Sequence, residues 1–184
     1  MLCRADAEAA LSQLVRALDV PDLRAAAAAS VPARQERLKP FRAEWIGRLA
    51  AAEGVRSLAP DGSTPTPAFV LATLREAVAA RTPSRGERVL WVNEATSNLP
   101  LVWSHLRPER AGSMVGSGAS GLGYALGASI GAVLGGVVAR RDFDLVATVV
   151  GDGTFLFGVP ATAFWLAKRQ KTVSVPASPR AFTS

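Results

Sequence analysis

Three short stretches carry residue types suited to holding a charged ligand. Gly151-Asp152-Gly153 sets a carboxylate between two glycines, directly after the apolar run LVATVV and ahead of a second one, TFLFGVP. A carboxylate in apolar surroundings is costly unless something pairs with it. A hard cation beside a phosphate is one such partner, since Mg²⁺ takes few protein carboxylates and fills its shell with phosphate oxygens. The flanking glycines let the main chain approach such a phosphate, and its N–H groups can donate to it. The plain alternative is a tight strand-to-helix turn with an exposed aspartate. Upstream, Asn93, Glu94, Thr96 and Ser97 form a polar loop rich in hydroxyl and amide groups. Between the two stretches, the segment from Gly116 to Gly121 spells GxGxxG. A dinucleotide fingerprint follows an apolar strand, and an acid about 20 residues later closes the next strand. Here RPERAGSMV precedes the glycines, and Asp142 and Asp144 come before the next strand rather than at its end. A nicotinamide or flavin site is therefore disfavoured.

The elements that must position these loops read as an alternation of helix and strand. Thr66 and Pro67 stand as N-cap and first helical residue before FVLATLREAV, with Phe69, Val70, Leu74 and Val78 expected on or near one side. Arg88 to Val92 is short, apolar and β-rich, and predicts a buried strand. A long small-residue helix is expected from about Leu122, a second strand over Leu145–Val150, and a third helix opened by Pro160. That rhythm predicts an α/β fold with a parallel sheet covered on both faces. Ligands in such sheets sit beyond the carboxyl ends of the strands, where the Asn93–Ser97 and Gly151–Thr154 loops fall. The first sixty residues read as a helical segment. Ala7, Leu11, Leu14, Val15 and Leu18 recur at helical spacing up to Pro21, and Trp45, Ile46, Leu49 and Leu58 continue a stripe before a Pro/Gly/Ser/Thr-rich boundary at Pro60–Pro67.

Composition narrows the function classes. The chain has 184 residues, a formal charge of +6 and one cysteine, so it allows no internal disulfide. Its arginines are scattered and not interleaved with aromatics, which predicts a solvated surface rather than a nucleic-acid platform. The start, MLCRADAEAA, has no basic stretch followed by an apolar run, so no signal peptide is read and an intracellular compartment is expected. Gly123, Gly127, Gly131 and Gly135 form a GxxxG ladder in an uncharged run from Ala111 to Ala139. It could serve as a membrane helix face, but it lacks the leucine and isoleucine content that drives insertion. Such a ladder equally suits backbone packed closely on a sheet or cofactor. His105, the sole histidine, lies in the polar stretch WSHLRPER and is expected in a surface or loop position.

Taken together, GSGASGLGYALGASIGAVLG, the strand after it and GDGTFLFGVPATAFWLAKR resemble the C-terminal cofactor-binding domain of thiamine-diphosphate enzymes. The group is that of acetolactate synthase, benzoylformate decarboxylase and pyruvate decarboxylase. VNEATSN at Val92–Asn98 resembles the loop that benzoylformate decarboxylases place against the cofactor diphosphate. The resemblance covers roughly 67–172. It implies a thiamine-diphosphate- and Mg-dependent lyase or transferase acting on 2-keto acids, and a homo-oligomer in the intact family. It gives Asp152 the metal, and sets Gly151, Gly153 and Thr154 against the diphosphate. It has Thr96 and Ser97 donate to that diphosphate, Leu122 prop the cofactor into its bent shape, and the Ser120 carbonyl receive the pyrimidine amino group. Glu94 is not given the role of activating glutamate, which the family carries in an N-terminal domain of a neighbouring subunit.

The pattern then departs from the family. The family's strand after GDG ends in an asparagine that supplies a second metal ligand. The two asparagines here, Asn93 and Asn98, both lie upstream. The ending VSVPASPRAFTS carries two prolines and is a poor central strand. The expected organisation is a helical segment or remnant of a preceding domain over 1–60, a partial thiamine-diphosphate-binding domain over 67–172 with an incomplete three-layer sheet, and a divergent tail over 173–184. The expected function is a fragment of a 2-keto-acid enzyme, inactive by itself and binding thiamine diphosphate weakly, with no nucleic acid or membrane as partner. The alternatives are a non-catalytic partner of a full-length relative, or a small membrane protein built on the glycine ladder.

Overall fold

Two runs of β-branched and aliphatic residues, Val89–Glu94 (β1) and Leu145–Val150 (β3), pair in parallel in register from Val89 with Leu145 to Glu94 with Val150. A short strand, Met114–Gly116 (β2), adds to the other side of β1, giving a three-stranded parallel sheet in the order β2-β1-β3. The computed structural model describes residues 6–118, 121–138 and 143–172. Expectations that fall on Ser120, Asp142 and the 173–184 tail lie outside the described residues.

Both faces of the sheet are covered, as the apolar character of β1 requires. On one face Val89 and Trp91 meet Leu71 and Val78 of α3 (Pro67–Arg81) and Val102 and Leu106 of α4 (Leu99–Leu106). On the other, Leu90 and Val92 meet Ala125 of α5 (Tyr124–Val138), with Ala128 and Ala132 packed alongside. β3 is followed by α6 (Asp152–Phe157) and α7 (Pro160–Arg169). The architecture is α/β, with helices preceding the sheet.

The Thr66 hydroxyl accepts from Phe69 N at 3.1 Å, with Pro67 at the first helical position, so α3 starts where its capping residues predict. Its buried residues are Ala68, Leu71, Ala72 and Val78. Val78 and Leu74 face the core as expected, whereas Val70 is corrected to 47% exposed, because the sheet meets the i, i+3, i+4 row that starts at Ala68. α5 starts at Tyr124 rather than Leu122, since Gly123 adopts a positive φ of 91° just before it.

The glycine ladder is a second correction. Apart from the backbone of α5 itself, no described atom lies within 4 Å of a Cβ placed on Gly127, Gly131 or Gly135, and it is Ala125, Ala128 and Ala132 that face the sheet. Among the described residues no helix is long and apolar enough to cross a membrane.

The chain divides into two compact units, 1–48 and 49–184. The first contains α1 (Ala7–Leu18), capped by the Asp6 carboxylate accepting from Ala9 N at 2.9 Å, and most of α2 (Pro21–Gly54). Pro21 opens α2, where its missing N–H costs nothing. No described residue of this unit is buried, and Leu11, Leu14, Val15 and Leu18 are each more than half exposed. The second unit, from Leu49 onward, contains the sheet and all of the site described below.

Candidate functional site

The carboxyl ends of β1 and β3 open into a cleft of about 630 Å³. Its floor is the end of β3, Val149 and Val150. The loop after β1 contributes Thr96, Ser97 and Asn98, and the turn after β3 contributes Gly151, Asp152, Gly153 and Thr154. Leu122, just before α5, adds an apolar projection, 47% exposed. The cleft therefore gathers seven of the eight residues singled out from the sequence: Thr96, Ser97, Leu122, Gly151, Asp152, Gly153 and Thr154. The eighth, Ser120, lies outside the described residues.

The sequence did not indicate the opposite wall, formed by Pro65, Pro67, Val70 and Leu71 from the start of α3. The Pro-rich approach to α3 was legible as a boundary and a helix start, not as a wall of the cleft. Asn98 was also missed; it stands at the N-cap of α4 but makes no side-chain cap bond, so its amide is not spent on the helix.

Strand alternation arms the loop after β1. Asn93, 3% exposed, turns its Oδ1 back to Ala95 N at 3.0 Å, starting a tight bend that carries Thr96 and Ser97 into solvent. Glu94 points to the other face. Its Oε1 accepts from Tyr124 N at 3.0 Å and its Oε2 from Ala125 N at 2.7 Å, capping α5. A carboxylate there also meets the positive end of the helix dipole. The Glu94 carbonyl accepts from Gly151 N at 3.4 Å.

Asp152 is exposed and opens α6, its Oδ1 accepting from Gly153 N at 2.8 Å. Among the described residues it is the one acid lining the cleft. Among the described residues no group of three or more His, Cys, Asp or Glu side chains could hold a metal. Thr154 is buried beneath the turn.

Asp144 lines no part of the cleft. It lies just before β3, at the end of the sheet away from the cleft, about 20 Å off by strand geometry. Its carboxylate accepts from Ser84 N at 2.8 Å and pairs with Arg88 at 2.6 Å. Those Ser84 bonds, with Arg88 beside them, hold it below the usual carboxylate range. The acid that a dinucleotide fingerprint would need is thus a structural tie between the starts of β1 and β3.

His105 is corrected from a surface position to a buried one, 2% exposed, inside α4. Its Nδ1 stands 2.9 Å from Glu53 Oε1. Arg75 grips the same carboxylate with two bonds of 3.0 and 3.1 Å, Arg107 adds a third of 2.8 Å, and Arg75 also donates to the His105 carbonyl. Burial by itself would raise the Glu53 pKa. The bonds from Arg75 and His105 and the charges of Arg75 and Arg107 overcome that and bring it to about 2. A carboxylate only accepts, so the proton sits on Nδ1 of His105. The cluster lines no part of the cleft.

No family model matches the chain, and no curated protein does. A solved structure that it resembles is the X-ray structure of a Mycobacterium smegmatis protein provisionally described as a thiamin diphosphate-dependent enzyme. The identity is 22% and the TM-score 0.46, over 59% of this chain and 22% of that one. The chain thus spans about a fifth of that protein's length.

Proposed function

We propose that the cleft is a thiamine-diphosphate site of the 2-keto-acid enzyme type, carried by a partial cofactor-binding domain over 67–172 that follows a helical segment over 1–60. The supporting observation is that hydroxyls, the Asn98 side-chain amide, one carboxylate and an apolar projection, drawn from three separate loops, line one 630 Å³ cleft. The donor set suits a diphosphate. Thr96, Ser97 and Thr154 would donate hydroxyl hydrogens, and the Gly151–Gly153 turn would bring main chain within reach. Asp152 would hold Mg²⁺ beside the phosphate oxygens, which supply most of its shell. Leu122 would bear on the bent cofactor, and the Ser120 carbonyl would take the pyrimidine amino group. The bound cofactor supplies carbanion stabilisation, the chemistry of lyases and transferases that act on 2-keto acids. The chain's own residues bind and orient it.

With a single carboxylate in the cleft, the site holds the metal weakly, and we expect no turnover of 2-keto acids by the chain in isolation. Titration of ¹⁵N-labelled protein with thiamine diphosphate and Mg²⁺ tests this. Saturable shifts at Thr96, Leu122 and Gly151–Thr154 in the millimolar range are expected, and Asp152→Ala should remove their Mg²⁺ dependence. Shifts elsewhere, or none, defeat the assignment, whereas micromolar affinity defeats only the claim of weakness.

A second reading, a non-catalytic partner of a larger relative, is favoured by the exposed side chains of α6 and α7. Leu156, Phe157 and Trp165 are 72%, 66% and 65% exposed. Activity that appears in a full-length relative only on mixing would support it.

A further inference from the structure

We propose that Glu94 is the positioning residue of the cleft, joining its three loops at one point. The consequence for ligand binding rests on the function proposed above; the geometry does not. Glu94 ends β1 and is 8% exposed, so its carboxylate is withdrawn from solvent. Each carboxylate oxygen takes one N–H from the first turn of α5, Tyr124 at 3.0 Å and Ala125 at 2.7 Å. Leu122 lies two residues before that turn and faces the cleft. The Glu94 carbonyl receives Gly151 N, the first residue of the turn that holds Asp152. Thr96 and Ser97 follow Glu94 after Ala95, in a bend closed by Asn98 N donating to Ala95 O at 3.1 Å.

The three loops lie far apart in sequence, and backbone pairing between β1 and β3 fixes only two of them. The start of α5 belongs to no strand. Its polar hold on the end of β1 is the Glu94 carboxylate, beside the packing of Ala125 on Leu90 and Val92 and, on the far side, the approach of Gly123 to Gly158. Glu94 does not touch the cleft's contents: both oxygens are engaged, and it is not among the lining residues. Its action is therefore indirect. It sets how far Leu122 stands from Thr96 and from Asp152.

The test compares wild type, Glu94→Gln and Glu94→Ala in the whole chain by amide hydrogen exchange and by titration. Glutamine keeps one acceptor but turns an NH₂ toward the second backbone N–H. Alanine removes both acceptors. Exchange at Tyr124 and Ala125 should accelerate on the order of tenfold or more in Glu94→Ala, and by less in Glu94→Gln. Positioning further requires that Asn98 and Gly151 accelerate with them. If those two amides keep their wild-type rates, Glu94 is an ordinary helix cap and the proposal is overturned. Should the alanine variant fail to fold, the glutamine variant makes the same comparison.

In the ligand arm, Glu94→Gln should need on the order of tenfold more thiamine diphosphate with Mg²⁺ to shift Thr96 and Gly153, at a temperature where its circular dichroism matches wild type. Equal affinity overturns the proposal. No binding by wild type defeats the proposed function, and the exchange comparison then decides the role of Glu94 without it.

Discussion

At the scale of single residues, the Glu53 carboxylate gathers bonds from Arg75, Arg107 and His105. Its folded pKa of about 2 lies below the ordinary 4.5, so its ion pairs stabilise the fold above pH 4.5. That contribution is lost as pH falls through the interval between the two values, because the unfolded chain binds the proton first. Up to about 3 kcal/mol is at stake, since each pH unit of that interval corresponds to about 1.4 kcal/mol. Urea midpoints should therefore fall between pH 4.5 and 2 by more in wild type than in Glu53→Gln. At neutral pH the same substitution should cost about 2–4 kcal/mol, since it strands Arg75, Arg107 and His105 around a neutral amide. An unchanged midpoint would show that the cluster is solvated and dispensable.

At the scale of elements, the decisive contact is between the start of α5 and the α6–α7 junction. Gly123 has φ of 91°, and a Cβ there would stand 3.2 Å from Gly158 Cα and from Phe157 Cδ1. Gly123→Ala meets both a strained backbone and a crowded neighbour, one of them main chain that cannot turn aside. A loss of about 2 kcal/mol is expected, with the melting temperature down by several degrees. Gly127→Ala, in open space on the same helix, should gain up to about 1 kcal/mol. The pair of melts separates the one constrained glycine from its free neighbour in the ladder.

These elements show which features were legible from local pattern. β3 is found over Leu145–Val150 as its apolar run predicts, and Thr66-Pro67 marks the start of α3. In both cases the signal is contained in a few adjacent residues. α4 was not legible: it is short, its start holds Pro100, and its amphipathic character is supplied by partners elsewhere. His105 is buried because Glu53, 52 residues away, waits for it, and no window of sequence contains both. β2 spans only Met114–Gly116 at a sheet edge, too short for a periodic signal. α6 was hidden because Gly151-Asp152-Gly153 reads as a loop, while the helix starts within it. Of the residues that line the cleft, Gly151-Asp152-Gly153 drew notice by residue type, whereas Leu122 was named through the resemblance alone.

At the scale of the whole molecule, the second unit carries apolar surface that the described residues do not cover. Leu156, Phe157, Val159, Phe164 and Trp165 are each more than half exposed along α6 and α7. Clustered exposure of this kind marks association or aggregation. The purified chain should bind a hydrophobic dye at neutral pH and lose solubility as concentration rises. Replacing Phe157 and Trp165 by lysine should raise the soluble fraction several-fold without moving the far-ultraviolet circular dichroism. Dye binding unchanged by that pair of substitutions would place the exposed surface elsewhere, with the stripe Leu11, Leu14, Val15 and Leu18 of α1 the next to alter.

The burial of Trp91 has an optical consequence. Three of the four indoles, Trp45, Trp103 and Trp165, are 47%, 50% and 65% exposed, whereas Trp91 is 4% exposed in the middle of β1. Iodide should quench the first three and leave a blue-shifted remnant from Trp91. That remnant comes from three residues before Glu94, so its wavelength and anisotropy follow the central strand without a label. Events at the cleft can then be timed in a stopped-flow cell against a background already darkened by the quencher.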